Sequence, residues 1–382
     1  MQFGADFQTL IERFSPHRNK PIALAVSGGS DSIALLHLAH EWAARDQRTL
    51  LVLTVDHRLR PEAKQEAECV ATLSAQLGHL HETLVWEEPR ESQAAARRAR
   101  YALLARAART HDAACLLTGH TFGDVVETAL IRRRRGVRDA SIAGPVLAAP
   151  VPVWPEGRFV TLLRPLIRTS RSELRAYLRA SGQVWIEDPS NEKAIYERAR
   201  VRAFLARHSH LAEIAGAYVQ TQQRARTEQQ GAMAEALCDV EIDASGLIET
   251  KSTEVSPNLL KRLIRCASGT SDDARDGAVR QLLASLTSPG QRQTLGGAWI
   301  QRTKTGFLIG RDPASSAQSG EEDLFDGRYQ RDTTANMLEP ADLPFLVRQS
   351  APPGSQWREI ISDRLAHLMR CYQTPLLNPV QR

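Results

Sequence analysis

One junction constrains this chain more than any other part of it. The apolar run Ile22–Val26 passes directly into Ser27-Gly28-Gly29-Ser30-Asp31-Ser32, and a helix-forming stretch follows at once. A strand that enters a helix through paired glycines gathers several backbone N–H groups around one point. The helix N-terminus behind them adds partial positive charge. The spacing predicts a phosphate cradle at the carboxyl end of a strand, with Ser27, Ser30 and Ser32 adding hydroxyl donors. Asp31 repels bare phosphate but fits if Mg²⁺ lies between the two. The loop is neither G-x-x-x-x-G-K-[ST] nor G-x-S-x-G, which excludes a Walker loop and a nucleophile elbow.

The rest of the first 200 residues alternates short apolar runs with helical stretches, the pattern of a parallel α/β sheet. Strands are expected at Ile22–Val26, Leu50–Val55, Glu82–Trp86 and Ala114–Thr118. Helices are expected at Asp31–Ala44, Pro61–Leu77 and Glu91–Thr110, and again from Ser170, which has capping-box spacing to Glu173. Beyond residue 208 the character changes. Leu211–Leu237 reads as one long connecting helix, residues 256–287 as two helices, and Arg292–Trp299 and Thr305–Ile309 as small strands. The expected organisation is a catalytic domain over 1–207, a helical linker over 208–240 and a small α+β domain over 241–313. The polar stretch from 314 looks linker-like, and residues 314–382 receive no role.

Residues 1–207 carry 30 Lys+Arg against 23 Asp+Glu, with the arginines in clusters suited to phosphate. The five cysteines are scattered with no C-x-x-C pair, against a disulfide framework, a zinc ribbon or an iron–sulfur cluster. No apolar run approaches the roughly 20 residues of a membrane span, so a cytoplasmic protein is expected. No heptad pattern specifies the oligomeric state; a homodimer is left open.

The strand–SGGxDS–helix unit resembles the pyrophosphate loop of the N-type ATP pyrophosphatases. Downstream segments narrow the resemblance. Val55-Asp56-His57-Arg58-Leu59-Arg60, Ala95-Ala96-Arg97 with Arg100-Tyr101, and Leu117-Thr118-Gly119-His120 look like segments of tRNA(Ile)-lysidine synthetases. So do Asp188-Pro189-Ser190-Asn191 with Tyr196, Arg198 and Arg202, and the stretch from Gly290 through Gly296-Gly297 to Asp312-Pro313. The resemblance implies a Rossmann-like ATP pyrophosphatase domain and a small tRNA-binding domain. It also implies a two-step reaction on isoleucine tRNA with a CAU anticodon: ATP adenylates the C2 oxygen of the wobble cytidine, and free L-lysine then displaces AMP.

On that reading Ser27, Gly28, Gly29, Ser30 and Ser32 hold the leaving pyrophosphate, while Asp31 and Asp124 hold Mg²⁺. Asp56 and His57 are candidates for the ATP ribose or adenine edge. His120 or Glu127 accepts the amine proton, and Arg100 meets the lysine carboxylate or the adenylate phosphate. Arg132, Arg133, Arg134, Arg135, Arg198 and Arg202 are candidates for RNA phosphates. The plain alternatives are strand-end histidines with a structural role and arginines on solvated helix faces.

The chain departs from the family's H-x-x-D-D-Q-x-E-T segment. It reads His120-Thr121-Phe122-Gly123-Asp124-Val125-Val126-Glu127-Thr128, with glycine for the first aspartate and valine for the glutamine. A paralogue using another amine, a non-catalytic tRNA-binding protein and an enzyme adenylating a small metabolite therefore remain alternatives.

Overall fold

A computed structural model describes residues 4–15, 17–58, 62–90, 92–137, 140–187, 197–243, 246–270, 272–312, 314–315, 324–325, 328–331 and 357–372. The Asp188–Asn191 segment and Tyr196, Leu59 and Arg60, and Arg138 lie outside these residues.

The chain divides into two compact units. The first comprises residues 1–151, 160–230 and 374–382. It opens with α1 (Gly4–Phe14) and alternates β1 (Ile22–Ala25), α2 (Ser30–Asp46), β2 (Leu50–Asp56), α3 (Glu62–Gln76), β3 (Leu80–Val85), α4 (Gln93–Thr110), β4 (Cys115–Thr118) and α5 (Phe122–Arg134). Two short strands that the pattern of long apolar runs does not reveal, β5 (Ala148–Pro150) and β6 (Thr161–Leu163), precede α6 (Arg171–Ala180), α7 (Glu197–Arg207) and the start of α8 (Ser209–Leu237).

The sheet order is β3-β2-β1-β4-β6-β5, parallel except for β5. Its middle strands are buried along their length: Ile22, Leu24, Leu50, Val52, Leu116 and Leu117 are fully enclosed. Burial on both faces is why these strands read as continuous apolar runs. Between β1 and β4 the strand order reverses direction. Ligands of open α/β sheets bind at such a switch point, beyond the carboxyl ends of the strands.

The second unit comprises residues 152–159 and 231–373. Its main sheet, order β7-β8-β11-β10-β9, is built from β7 (Val240–Ile242), β8 (Ile248–Thr250), β9 (Arg292–Leu295), β10 (Ala298–Arg302) and β11 (Phe307–Arg311). The helices α9 (Pro257–Ser268) and α10 (Asp276–Ser285) share a core with it around Leu260, Leu263, Ile300 and Ile309. The single strand expected over Arg292–Trp299 is instead two, because Gly296 and Gly297 both take positive φ and turn the chain into a hairpin. The polar stretch expected to be linker-like contributes β12 (Leu324–Phe325) and β13 (Tyr329–Arg331). With β14 (Trp357–Glu359) they form a third sheet, and α11 (Ile361–Tyr372) follows.

Candidate functional site

A cavity of about 1050 Å³ opens at the switch point of the first unit. Its floor is the Ser27–Ser32 loop. Gly28 has φ of +86°, and a Cβ there would meet Ile186 Cδ1 at 2.6 Å, so glycine is required. The loop is braced from within: Ser32 Oγ accepts from Ser27 N at 3.2 Å and donates to Gly29 O at 2.9 Å. Gly29 caps α2 without a side-chain bond, which leaves the first amides of that helix to a ligand. Gly119, after β4, lets a second backbone close on the loop; a Cβ there would lie 2.9 Å from Asp31 O.

One wall carries paired charge. Arg171, at the start of α6, spreads its guanidinium over three carboxylates. Nε donates to Asp31 Oδ2 at 2.9 Å, Nη1 to Glu127 Oε1 at 2.8 Å, and Nη2 to Asp124 Oδ1 at 2.5 Å. Arg198 Nε and Arg202 Nε donate to the two oxygens of Glu127 at 2.8 and 2.9 Å. Glu127 is 2% exposed. Burial pushes its carboxyl up, but the bonds from Arg202 and Arg171 prevail and hold it below the usual carboxylate range. At Asp31 burial prevails over the attraction of Arg171, and the carboxyl is raised. Asp124 divides its oxygens: Oδ2 accepts from Thr121 N and Oγ1 at 2.8 and 3.0 Å to cap α5, and Oδ1 faces the arginines.

Asp31 and Asp124 each give one oxygen to adjacent nitrogens of one guanidinium, so both face a common space. Two carboxylates completed by phosphate oxygens and water are a donor set that Mg²⁺ takes in nucleotide sites, and the pair fits it. Among the described residues no group of three or more His, Cys, Asp or Glu offers a fuller protein cage.

The other wall is basic and lacks such partners. Arg97, Arg100, Tyr101 and Leu104 recur at helical spacing on one face of α4 and line the cavity. Both guanidiniums lie over the buried Tyr101 ring, at 4.9 and 5.2 Å. Arg164 is buried with its Nη1 on Val146 O at 2.7 Å. No described carboxylate pairs with Arg97, Arg100 or Arg164. Burial drives the Arg97 and Arg164 values down; repulsion from Arg100 and Arg198 adds to it at Arg97, and repulsion from Arg97 at Arg164. Burial likewise holds His120 well below the usual imidazole value, reinforced by Arg164, Arg100, Arg97 and Arg198. Its Nδ1 lies 2.8 Å from Thr118 Oγ1. The His57 value is lowered by burial and then by Arg100; its Nδ1 is buried without a partner, beside Trp86.

Residues 3–209 match the model of the PP-loop domain family. The relatives include tRNA(Ile)-lysidine synthases of several bacteria. That of Hyphomonas neptunium is 39% identical, over 76% of this chain and 81% of its own. That of Caulobacter vibrioides is 37% identical, over 91% and 82%, and that of Brucella ovis 34%, over 84% and 76%. The chain belongs to the tRNA(Ile)-lysidine synthase family. Of the residues that resemblance to this family singled out, Ser27, Gly29, Ser30, Asp31, Ser32, His57, Arg100, His120, Asp124, Arg198 and Arg202 line one cavity. Glu127 reaches it through Arg171.

Others stand elsewhere. Asp56 does not line the cavity; its carboxylate accepts from Arg58 N at 2.8 Å. Arg198 and Arg202, expected on RNA phosphates, instead line the cavity and are engaged by Glu127. Arg133, Arg134 and Arg135 lie exposed at the end of α5, the latter two paired with Glu197. Arg132 adjoins them on the same helix turn. At the family departure, a Cβ on Gly123 would lie 3.4 Å from Arg171 Nη1. The missing aspartate would have added a carboxylate beside the same arginine. Sequence reading places Arg97, Arg164 and Arg171 in phosphate-suited clusters but gives no individual role to them or to Thr118. For Arg97 and Thr118 the signal was present, since both lie inside quoted motifs.

Proposed function

We propose that the chain modifies the wobble cytidine of isoleucine tRNA with a CAU anticodon, in an ATP-dependent carbon–nitrogen ligation. The observation that carries this reading is the phosphate loop facing His120 and Arg100 across one cavity, in a chain 39% identical to a tRNA(Ile)-lysidine synthase.

In the first half-reaction the C2 oxygen of the cytidine attacks the α-phosphorus of ATP. The O–P bond forms as the bond to pyrophosphate breaks. The amides of the loop and the hydroxyls of Ser27 and Ser30 face the departing charge, and electrostatic stabilisation of this kind is the main term in phosphoryl-type transfers. Asp31 and Asp124 are the residues that would hold Mg²⁺, which supplies charge neutralisation on the phosphates when bound. Arg97 and Arg100 offer unpaired donors to the adenylate phosphate or to the carboxylate of the incoming amino acid.

In the second half-reaction the ε-amine of free L-lysine forms the C2–N bond, and AMP leaves with the former C2 oxygen. The amine must be neutral to attack, and it must then shed a proton. His120 is suited to accept that proton: burial, reinforced by the basic wall, keeps it uncharged, and Thr118 Oγ1, which donates to Leu163 O at 3.4 Å, accepts from Nδ1 and leaves Nε2 as the available base.

Incubating the full chain with ATP, Mg²⁺, lysine and CAU-anticodon isoleucine tRNA, followed by nucleoside mass spectrometry, tests the reading. A lysine-sized mass gain on the wobble cytidine is expected. Its absence, with a working synthetase alongside, would overturn the assignment. The reading also comprises the division into a catalytic domain over 1–207, a linker, and an RNA-binding domain over 241–313. No helix among the described residues is long and apolar enough to cross a membrane; cytoplasmic operation completes the reading, with a homodimer left open.

A further inference from the structure

No step of the reaction above uses Arg171, yet it is the hub of the paired wall. Glu127 has two other guanidiniums, and Asp124 has Arg198 and the Thr121 cap. Among the described residues Asp31 has only Arg171 and the adjoining Ser30 hydroxyl, 3.3 Å away. The Nε/Nη2 edge of Arg171 therefore lies across the two oxygens, Asp31 Oδ2 and Asp124 Oδ1, that a divalent cation at this pair would need.

Its position is built in. The Ser170 and Glu173 capping box fixes the start of α6, with Ser170 N donating to Glu173 Oε2 at 2.8 Å and Glu173 N donating to Ser170 Oγ at 3.2 Å. Tyr177 Oη donates to Glu41 Oε1 at 2.6 Å and ties α6 to α2, the helix that carries Asp31. Three carboxylates meet three guanidiniums, so the cluster as it stands has no net charge with which to attract a free cation.

We propose that Arg171 is the resident counter-ion of the Asp31–Asp124 pair and excludes a divalent metal until a nucleoside triphosphate brings one. Phosphate oxygens supply the ligands that two carboxylates lack, and they give the displaced guanidinium a new anion. Metal loading is then contingent on nucleotide, and Arg171 acts as a positioning residue that keeps Asp31 and Asp124 together before nucleotide binds. Gly123 leaves room for the exchange, because no side chain from that position restrains Nη1. The inference rests on the reading of Asp31 and Asp124 as the metal-holding pair.

The test is a Mn²⁺ titration of the full chain without nucleotide, RNA or lysine, with free Mn²⁺ followed by electron paramagnetic resonance. Wild type is expected to bind Mn²⁺ only in the millimolar range. Arg171→Met should bind it at least tenfold more tightly, and adding Asp31→Asn to that variant should abolish the gain. Arg171→Lys, which keeps a cation in place, should stay weak. If Arg171→Met fails to fold by circular dichroism, Arg171→Gln, neutral but still hydrogen-bonding, carries the comparison. Tight wild-type binding that Asp31→Asn removes would overturn the proposal. So would folded Met and Gln variants that bind no better than wild type. Product formation is not measured, so this outcome and that of the nucleoside assay stand or fall separately.

Discussion

The two walls of the cavity hold the same kind of residue in opposite circumstances. Arg171, Arg198 and Arg202 are matched to Asp31, Asp124 and Glu127, whereas Arg97 and Arg100, and the buried Arg164 beyond the cavity lining, meet Tyr101 or a backbone oxygen but no carboxylate among the described residues. A matched cluster has met most of its electrostatic need inside the protein, and its main contribution is to hold geometry. An unmatched one stores repulsion that an anionic ligand relieves. Arginine-rich sequence alone does not separate these cases; the position of the carboxylates does.

The largest effect that would sharpen the contrast is on catalysis. Asp31→Ala should lower the rate of pyrophosphate release by about 100-fold or more, as removal of one preorganised electrostatic group does elsewhere. A native rate in that assay would remove Asp31 from the site.

Stability should respond on the matched wall. Glu127→Ala takes the carboxylate from Arg202 and leaves Arg171 and Arg198 to share Asp124 and Asp31, and thermal unfolding should report a loss on the order of 2–3 kcal/mol. That falls short of the roughly 3–5 kcal/mol for breaking a fully buried pair because Arg198 and Arg202 are 40% and 38% exposed. On the unmatched wall Arg100→Ala should leave the melting temperature nearly unchanged while weakening ATP or lysine binding about tenfold by calorimetry. The same variant should raise the His57 and His120 titration midpoints in NMR, since Arg100 depresses both. A Glu127 variant as stable as wild type, or an Arg100 variant that melts early, would erase the distinction between the walls.

The effect that is smallest at neutral pH lies in the second unit, where burial pushes the His367 imidazole down to about 4. The unfolded chain then binds the extra proton between pH 6.5 and about 4, so stability rises with pH across that window and levels off above it. One proton sets a ceiling near 1.4 kcal/mol per pH unit. His367→Gln should flatten that part of the stability profile measured by denaturant titration.

What could be read in the sequence follows the same division. The phosphate loop and the α6 capping box are local, each defined by residues within a few positions of one another, and both formed where the pattern placed them. The parallel sheet was legible because its strands are buried on both faces. Arg171 was not, because its meaning depends on Asp31, 140 residues away, and on Glu127, 44 away. Arg198 and Arg202 were read as outward for the same reason: a basic helix face does not announce a carboxylate arriving from α5. Around Gly296-Gly297 the turn is only two residues long, with Leu295 and Ala298 directly flanking it, so a hairpin reads as one strand.

The short excursion at 152–159 has a practical consequence. It belongs by its packing to the second unit, where Arg364 lies 3.9 Å over the Trp154 ring and where Val153 and Arg158 are buried. A gene cut after residue 230 would therefore not release an intact catalytic module. It would leave an apolar loop shorn of its cover, prone to self-association, in the middle of the remaining polypeptide. Loss of RNA modification by such a fragment would report that scar as readily as the absence of RNA contacts. A fair dissection must replace the loop as well as shorten the chain.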